Sequence, residues 1–387
     1  MQTSYGKIEK ILFDSPELQE LLVRIEAKTE PERAYNYPDL NRKLAVGESV
    51  LLNTVAVELG LGTGGRHFVV PQGREVNNPL HSGHIMKLRY TPWQFPVLAA
   101  EEEESPFHQQ LLEAQDLKRV PVVIAPLHSM LPGIILGFRA CFPREPRIAY
   151  IMTDSAALPI ALSHLVRQLK SADLLQTTIT AGHSFGGDLE TVSIPSALIA
   201  AIEAAQADLI VCALGPGIVG TGTRLGFSGI EQSWIIDLVH RLNGIPVVAP
   251  RLSTADARER HFGLSHHTIT ILDLANHPAL VGVSTRCPES LLQTIRTKAE
   301  SFRLLERHQW FMVDDPDAGQ LFEASQINVK TMGRTFQEDP WFFQSSVTAG
   351  VLAGSAVTDG DNFQKRNERI CNERPTDRTT PEQTANS

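Results

Sequence analysis

The sequence predicts a mostly parallel, doubly wound α/β domain preceded by a small antiparallel β-barrel or sandwich module, and three observations carry that prediction. From Val120 onward short apolar runs recur at intervals of about 30 residues: VPVVIAP, RIAYIMT, TTITAGH, DLIVCALG, IPVVAP, TITILD, LVGVST and WFMVDD. Helical patterns separate most of them, the alternation that builds a parallel sheet covered by helices on both faces. Up to about residue 100 the rhythm differs, with short β-branched, alternating runs broken by turn residues. Finally, TITILD and LVGVST lie too close together for a crossover helix, which favours an open sheet over a closed TIM-like barrel.

In chain order, the N-terminal module (residues 1–104) offers strands at Gly6 to Phe13, Glu20 to Ala27, Ser49 to Glu58 and Arg66 to Val70. Asp14-Ser15-Pro16 and Gly62-Thr63-Gly64-Gly65 supply its turns. The acidic run Glu101 to Glu104, followed by Ser105-Pro106, marks a solvated boundary before a helix near Ser105 and opens the α/β domain, 105–357. Within it, Pro195 reads as the first residue of a helix with Ser193 near its cap, and a further helical pattern starts at Ser228 to Glu231. Asp339 and Pro340 read as cap and first position of a closing apolar helix. Beyond it, the tail 358–387 has only Phe363, Ile370 and Cys371 as sizeable apolar groups and is expected to be disordered.

Composition narrows the partners. Of 387 residues, 42% are hydrophobic and 20% charged, an ordinary globular balance with enough chain for a large core. A formal charge of -9 disfavours nucleic acid, because a net anion gains nothing from releasing a polyanion's counterions. Four cysteines without a C-x-x-C pair fit a reducing cytoplasm rather than a disulfide framework. The N-terminus has charges where a signal peptide needs a continuous apolar run. The most apolar stretch, Val120 to Phe142, carries three prolines, His128 and Arg139, and divides into a strand and a helix rather than a membrane span.

Ligands of parallel sheets bind beyond the carboxyl ends of the strands, so the chemistry is sought in those loops. They carry His128 and Ser129, then Asp154 and Ser155, then His183, Ser184, Asp188 and Glu190. Further on come the glycine-rich loop from Gly215 to Gly226 and a fifth loop with Arg251, Asp256, Arg258, His261, His266 and His267. Gly215, Gly217 and Gly220 match G-x-G-x-x-G after a strand, but no helix starts inside the motif and no acid follows the next strand, so a dinucleotide is disfavoured. A cradle for a small anion or phosphate fits better, with Thr221, Thr223 and Arg224 as added donors. Gly182-His183-Ser184-Phe185-Gly186 matches the nucleophile elbow G-x-S-x-G, and Asp256 with a later histidine could complete a triad for Ser184. Its helix does not start at once, however, so the elbow opens into a loop. Nitrogen and oxygen donors from His128, Asp154, His183, Asp188 and one of His261, His266 or His267 could hold a metal, although they come from separate loops. Cys287 before Pro288 could have its thiol acidified by a helix N-terminus, although an ordinary half-buried cysteine is the better reading. Arg66, His67, His81, His84, Lys87 and Arg89 form a basic group that faces either a cleft or a domain interface.

The ordered blocks GTGGRHFVV, GHIMKLRYTPWQ, PLHSML, YIMTDSAALP, TAGHSFGGDLE, GPGIVGTGTRLGFSG and HFGLSHHT together resemble a bacterial family of conserved proteins of unknown function, over residues 4 to 357. The resemblance implies a bacterial, cytoplasmic protein and transfers no catalytic residue. From the residues themselves the expectation is a pocket for a small anionic or phosphorylated ligand, with hydrolysis or group transfer as the chemistry. His183 or His128 would act as acid or base and Asp154 or Asp188 would orient it. A non-catalytic ligand sensor or protein-interaction module is the rival, and a serine hydrolase using Ser184 a third reading. Cofactor, metal and oligomeric state are left open.

Overall fold

A computed structural model describes residues 3–26, 28–60, 64–72 and 83–358. The tail expected to be disordered, beyond Thr358, lies outside these residues, as does His81. Strands β1 (Thr3–Asp14), β2 (Gln19–Ile25), β3 (Glu32–Asn36), β4 (Ser49–Asn53) and β5 (Arg66–Val70) close into a barrel in the order β1-β2-β3-β5-β4. Alternate residues point inward: Ile8 from β1, Leu21, Val23 and Ile25 from β2, Ala34 from β3, and Val50 and Leu52 from β4 form its core. The barrel departs from the all-antiparallel expectation, since β3 and β5 pair in parallel. Five strands in a closed ring cannot alternate direction all the way round, so one parallel pair is unavoidable. The short helix α1 (Val55–Glu58) bridges β4 and β5 and replaces the end of the longer strand expected there.

A hairpin of β6 (Ile85–Lys87) and β7 (Phe95–Val97), then helix α2 (His108–Glu113), lead into the second region. Its strands are β8 (Pro121–Ala125), β9 (Ile148–Thr153), β10 (Thr177–Ala181), β11 (Leu189–Thr191), β12 (Leu209–Leu214) and β13 (Ile245–Val248). After a small ladder of β14 (Leu252–Ser253) with β15 (Gly263–Leu264) come β16 (Leu280–Ser284) and β17 (Gln309–Val313). Eight of these make one open sheet, β11-β10-β9-β12-β8-β13-β16-β17, in which every pairing is parallel. The sheet is open, as expected.

Helices cover both faces. Residues of α5 (Ile194–Glu203), α6 (Gln232–Arg241), α7 (His266–Leu274) and α8 (Glu289–Glu300) pack on the face carrying Val122, Ile124, Ile151 and Cys212. The opposite face, with Val123, Tyr150, Met152 and Val211, is covered by α3 (Leu131–Cys141), α4 (His164–Ser171), α10 (Ala318–Ser325) and α11 (Pro340–Thr358). The short α9 (Leu304–Arg307) precedes β17. Loops after β8 and β9 therefore run to one face and those after β12 and β13 to the other, and these strands alternate in the sheet. Such reversals open crevices at the strand ends. Among the described residues no helix is long and apolar enough to cross a membrane.

One expected strand is a helix. TITILD lies within α7, whose cap is Ser265 and whose residues from His267 to Leu272 are all buried. Alternating β-branched residues look like a strand in sequence, but here Thr268 and Thr270 are buried beside the apolar side chains, and Thr268 Oγ1 accepts the Arg251 N–H at 2.9 Å. Tertiary burial thus overrides a β-like pattern. Ser193 caps α5, which starts at Ile194, one residue before the expected Pro195, and α11 starts at Pro340 as expected. The Asp339 side chain turns instead to Ser253 and Arg334.

Helix α11 is buried from Phe342 to Gly354 and lies against α3 with glycines on both sides of the contact. A Cβ at Gly137 would stand 2.1 Å from Val347 O, and one at Gly350 would stand 2.1 Å from Ile134 O. Gly137→Ala should cost about 1–3 kcal/mol or more through overpacking. Chemical denaturation reads this directly, and an unchanged midpoint would contradict the close approach.

Lys87 is fully buried. Its Nζ lies 2.9 Å from Gly182 O, 2.9 Å from Ser184 O, 3.3 Å from Thr191 O and 3.0 Å from a Glu190 carboxylate oxygen, fastening the hairpin to the edge of the sheet. Lys87→Met should destabilise the protein by about 3–5 kcal/mol, because it leaves the carboxylate and three carbonyls buried without their cation. Limited proteolysis should then cut first in the β6–β7 hairpin. A variant as stable and resistant as the parent would contradict this.

Candidate functional site

The loop after β8 places His128 in a closed hydrogen-bond chain. Tyr150 Oη donates to Leu214 O at 3.1 Å, so His128 Nδ1–H donates to Tyr150 Oη at 3.0 Å and its Nε2 accepts from Ser163 Oγ at 2.7 Å. Ser163 in turn caps α4 by accepting the Val166 N–H. Burial lowers the imidazole pKa to about 4, so the ring is neutral. This arrangement ties β8, β9, β12 and α4 together.

After β9 and β10, Asp154 accepts the His183 N–H at 2.9 Å, and Arg89 donates to His183 Nε2 at 3.0 Å. Gly182 permits this approach: its φ is +67°, and a Cβ there would sit 2.4 Å from an Asp154 oxygen. Ser184 is fully buried and its hydroxyl faces the carbonyls of Met152, at 2.8 Å, and Ala181, at 2.7 Å. Its position is that of a tether holding the loop to the sheet. Asp188 lies near the start of β10, away from His183. Burial alone would raise its pKa, but Lys170 and the Thr178 amide and hydroxyl hold the carboxyl below the usual range. The structure thus brings Asp154 and His183 together and leaves His128 and Asp188 in separate surroundings.

The glycine-rich loop after β12 folds on itself. Thr221 N–H donates to Gly226 O at 2.8 Å, Gly226 N–H to Thr223 Oγ1 at 3.2 Å, and the Thr221 and Thr223 hydroxyls lie 2.9 Å apart. Gly215 is buried beneath Ala157 O, Gly217 takes a φ of +96°, and Arg224 pairs with Asp273 of α7. Several donors expected to cradle an anion are therefore engaged within the loop or with α7. The loop lies against the histidine that follows: a Cβ at Gly220 would reach 3.9 Å from His267 Nε2, and Phe227 stacks on the His267 ring with centroids 4.1 Å apart.

Beneath it the loop after β13 gathers three histidines. His261 comes from a 3-10 turn, Glu259–His261, and His266 and His267 open α7. One ring nitrogen from each lies within 4.8 Å of the others. Ser265 organises them: its Oγ accepts the His267 N–H and lies 2.7 Å from His261 Nδ1. His266 Nε2 and His267 Nδ1 are buried without a hydrogen-bond partner. Burial first, and then neighbouring positive charges, lower all three pKa values, that of His261 to about 3, so the imidazoles are neutral at pH 7.

Those charges come from a network centred on Asp256. Arg258 donates to it at 2.9 and 2.8 Å, buried Arg251 at 3.1 Å, and Arg334 stands 3.6 Å away while also donating to Asp339 at 3.0 Å. Burial pulls Arg251 down to about 10, still charged at pH 7. Asp256 is held well below the usual carboxylate range, chiefly by its hydrogen bonds from Arg258. Three guanidinium groups surround the two buried carboxylates, with the exposed Glu338 also acting on Arg334, and Arg260 and Lys298 add to the positive field at His266.

Two residues of the strand-end edge had no sequence signal. Glu231, before α6, accepts from Thr153 and Ser155, and burial with Asp154 nearby raises its pKa. Arg334 enters the Asp256 network from a segment far along the chain. Cys287 follows the reading of an ordinary buried cysteine, since burial and then Glu289 push its thiol up to about 11. In the basic N-terminal group, Arg66 pairs with Glu20, His67 with Glu32 and His84 with Glu102, while Lys87 and Arg89 line the interface.

No curated protein matches the chain. A family model described as a protein of unknown function (DUF3866) matches residues 33–350, well over half of the sequence. The open α/β sheet and the histidine-bearing loop after β13 fall within the matched span, as do β4, β5 and most of β3 of the barrel, while β1 and β2 precede it, and the chain belongs to this DUF3866 family.

Proposed function

We propose that the protein binds a small anionic or phosphorylated ligand at the strand-end edge beside His261, His266 and Arg258. The observation that carries this reading is the placement of charge around Asp256: Arg251, Arg258 and Arg334 gather on two buried carboxylates, Asp256 and Asp339, with the exposed Glu338 acting on Arg334 from the surface, next to three imidazoles whose pKa values burial lowers. Arg258 is the reachable member, with 40% of its side chain exposed, whereas Arg251 and Asp256 lie beneath it. A guanidinium fork on the solvent side of a buried counterion suits a planar or tetrahedral oxyanion. Neutral imidazoles beside it can donate to or accept from the ligand, which supports hydrolysis or group transfer as the accompanying chemistry.

Inorganic phosphate tests the reading on the chelator-treated chain. It should raise the melting temperature saturably, beyond sodium chloride of equal ionic strength, because a ligand bound by the folded state alone stabilises it by mass action. Arg258→Gln should abolish the saturable part. Equal effects of phosphate and chloride, or an undiminished phosphate effect in the variant, would overturn it.

A further inference from the structure

We infer that His261, His266 and His267 form a three-imidazole site for a divalent transition ion, zinc being the ion best matched. The geometry comes first. Zinc–nitrogen bonds of about 2.0–2.1 Å in a tetrahedron place ligand nitrogens about 3.3 Å apart. The three donor atoms already lie within 4.8 Å of one another, so side-chain rotations of about an ångström would bring them to one ion.

The state of the donors points the same way. A buried polar atom left without a partner is costly, and two such atoms, His266 Nε2 and His267 Nδ1, belong to rings of this one cluster. His267 is 7% exposed and His261 2%. The packed histidines His128 and His308, by contrast, have partners at both ring nitrogens. The 2.7 Å contact between His261 Nδ1 and Ser265 Oγ fixes the ring, and the tautomer that carries its proton on Nδ1 leaves the Nε2 lone pair for a metal. The stacked Phe227 holds the His267 ring in its plane.

Three neutral ligands leave the ion its full double charge and one tetrahedral position open, the pattern of catalytic rather than structural zinc. The neighbouring arginines repel the ion, so the site is weaker than a thiolate site. An anion or hydroxide in the open position offsets that repulsion. The metal reading is independent of the anion reading, although a metal would make the same pocket more selective for anions.

The experiment uses the full chain stripped with chelator and titrated in chloride buffer without phosphate. Calorimetry with zinc should show one ion per chain, and cobalt(II) should give the visible absorption of a four-coordinate site. His266→Ala and His266→Gln, checked for folding by circular dichroism, should each weaken zinc by about 100-fold or more. His277→Ala, a surface histidine paired with Asp237, should bind zinc as the parent does. The inference is overturned if the parent takes up no zinc at micromolar concentration, if both His266 variants bind like the parent, or if His277→Ala loses the ion. Because phosphate is absent here and metal is absent from the phosphate melts, each reading can fail without the other.

Discussion

The backbone contact between α3 and α11 is the constraint on which the rest of the α/β region rests. A parallel sheet must be covered on both faces. Here one cover is a helix apolar on nearly every side, and it reaches the sheet only because glycines let it pass α3 at backbone distance. Seating α11 also fixes what precedes it. Asp339, buried one residue before the helix, accepts from Ser253 Oγ at 2.7 Å and from Arg334, and Arg334 extends to Asp256. Packing on one face of the sheet is thereby transmitted to the loop that carries the histidines.

That loop combines features that would be costly apart. Arg251 and Asp256 are each 3% exposed at the side chain, and each is tolerated because the other is present. Arg258 then adds a cation without a second carboxylate close by, so the pair becomes an electropositive floor. Above it the imidazoles have lost their protons to burial, which keeps their lone pairs available. Neutral nitrogen donors over a positive floor suit an anion directly, or a metal whose remaining ligand is an anion.

Sequence reasoning reached the parallel sheet because buried parallel strands are continuous apolar runs, and DLIVCALG or VPVVIAP can hardly be anything else. It missed β3, since ERAYN has too few apolar residues to register, and it read α7 as a strand because helix α7 is buried almost all round and has no polar stripe. The strand-end histidines were legible as loop residues, but His261, His266 and His267 read as alternatives for a single ligand position, and their convergence appears only in the fold. Arg334 and Glu231 were not legible, because their partners, Asp256 and Thr153, lie 78 residues away in the chain in both cases. The glycine-rich motif and G-x-S-x-G looked chemical in isolation. In the fold Thr221, Thr223 and Arg224 beside the first are engaged with Gly226, one another and Asp273, and the second buries its serine.

The central claim is that nitrogen from this histidine cluster, and not sulfur from the scattered cysteines, is what a metal meets in this protein. X-ray absorption at the zinc edge of the zinc-loaded chain tests it most directly. The account predicts a shell of nitrogen and oxygen at about 2.0 Å with the outer-shell scattering of three imidazoles. A sulfur shell at about 2.3 Å, or a shell lacking imidazole scattering, would contradict it.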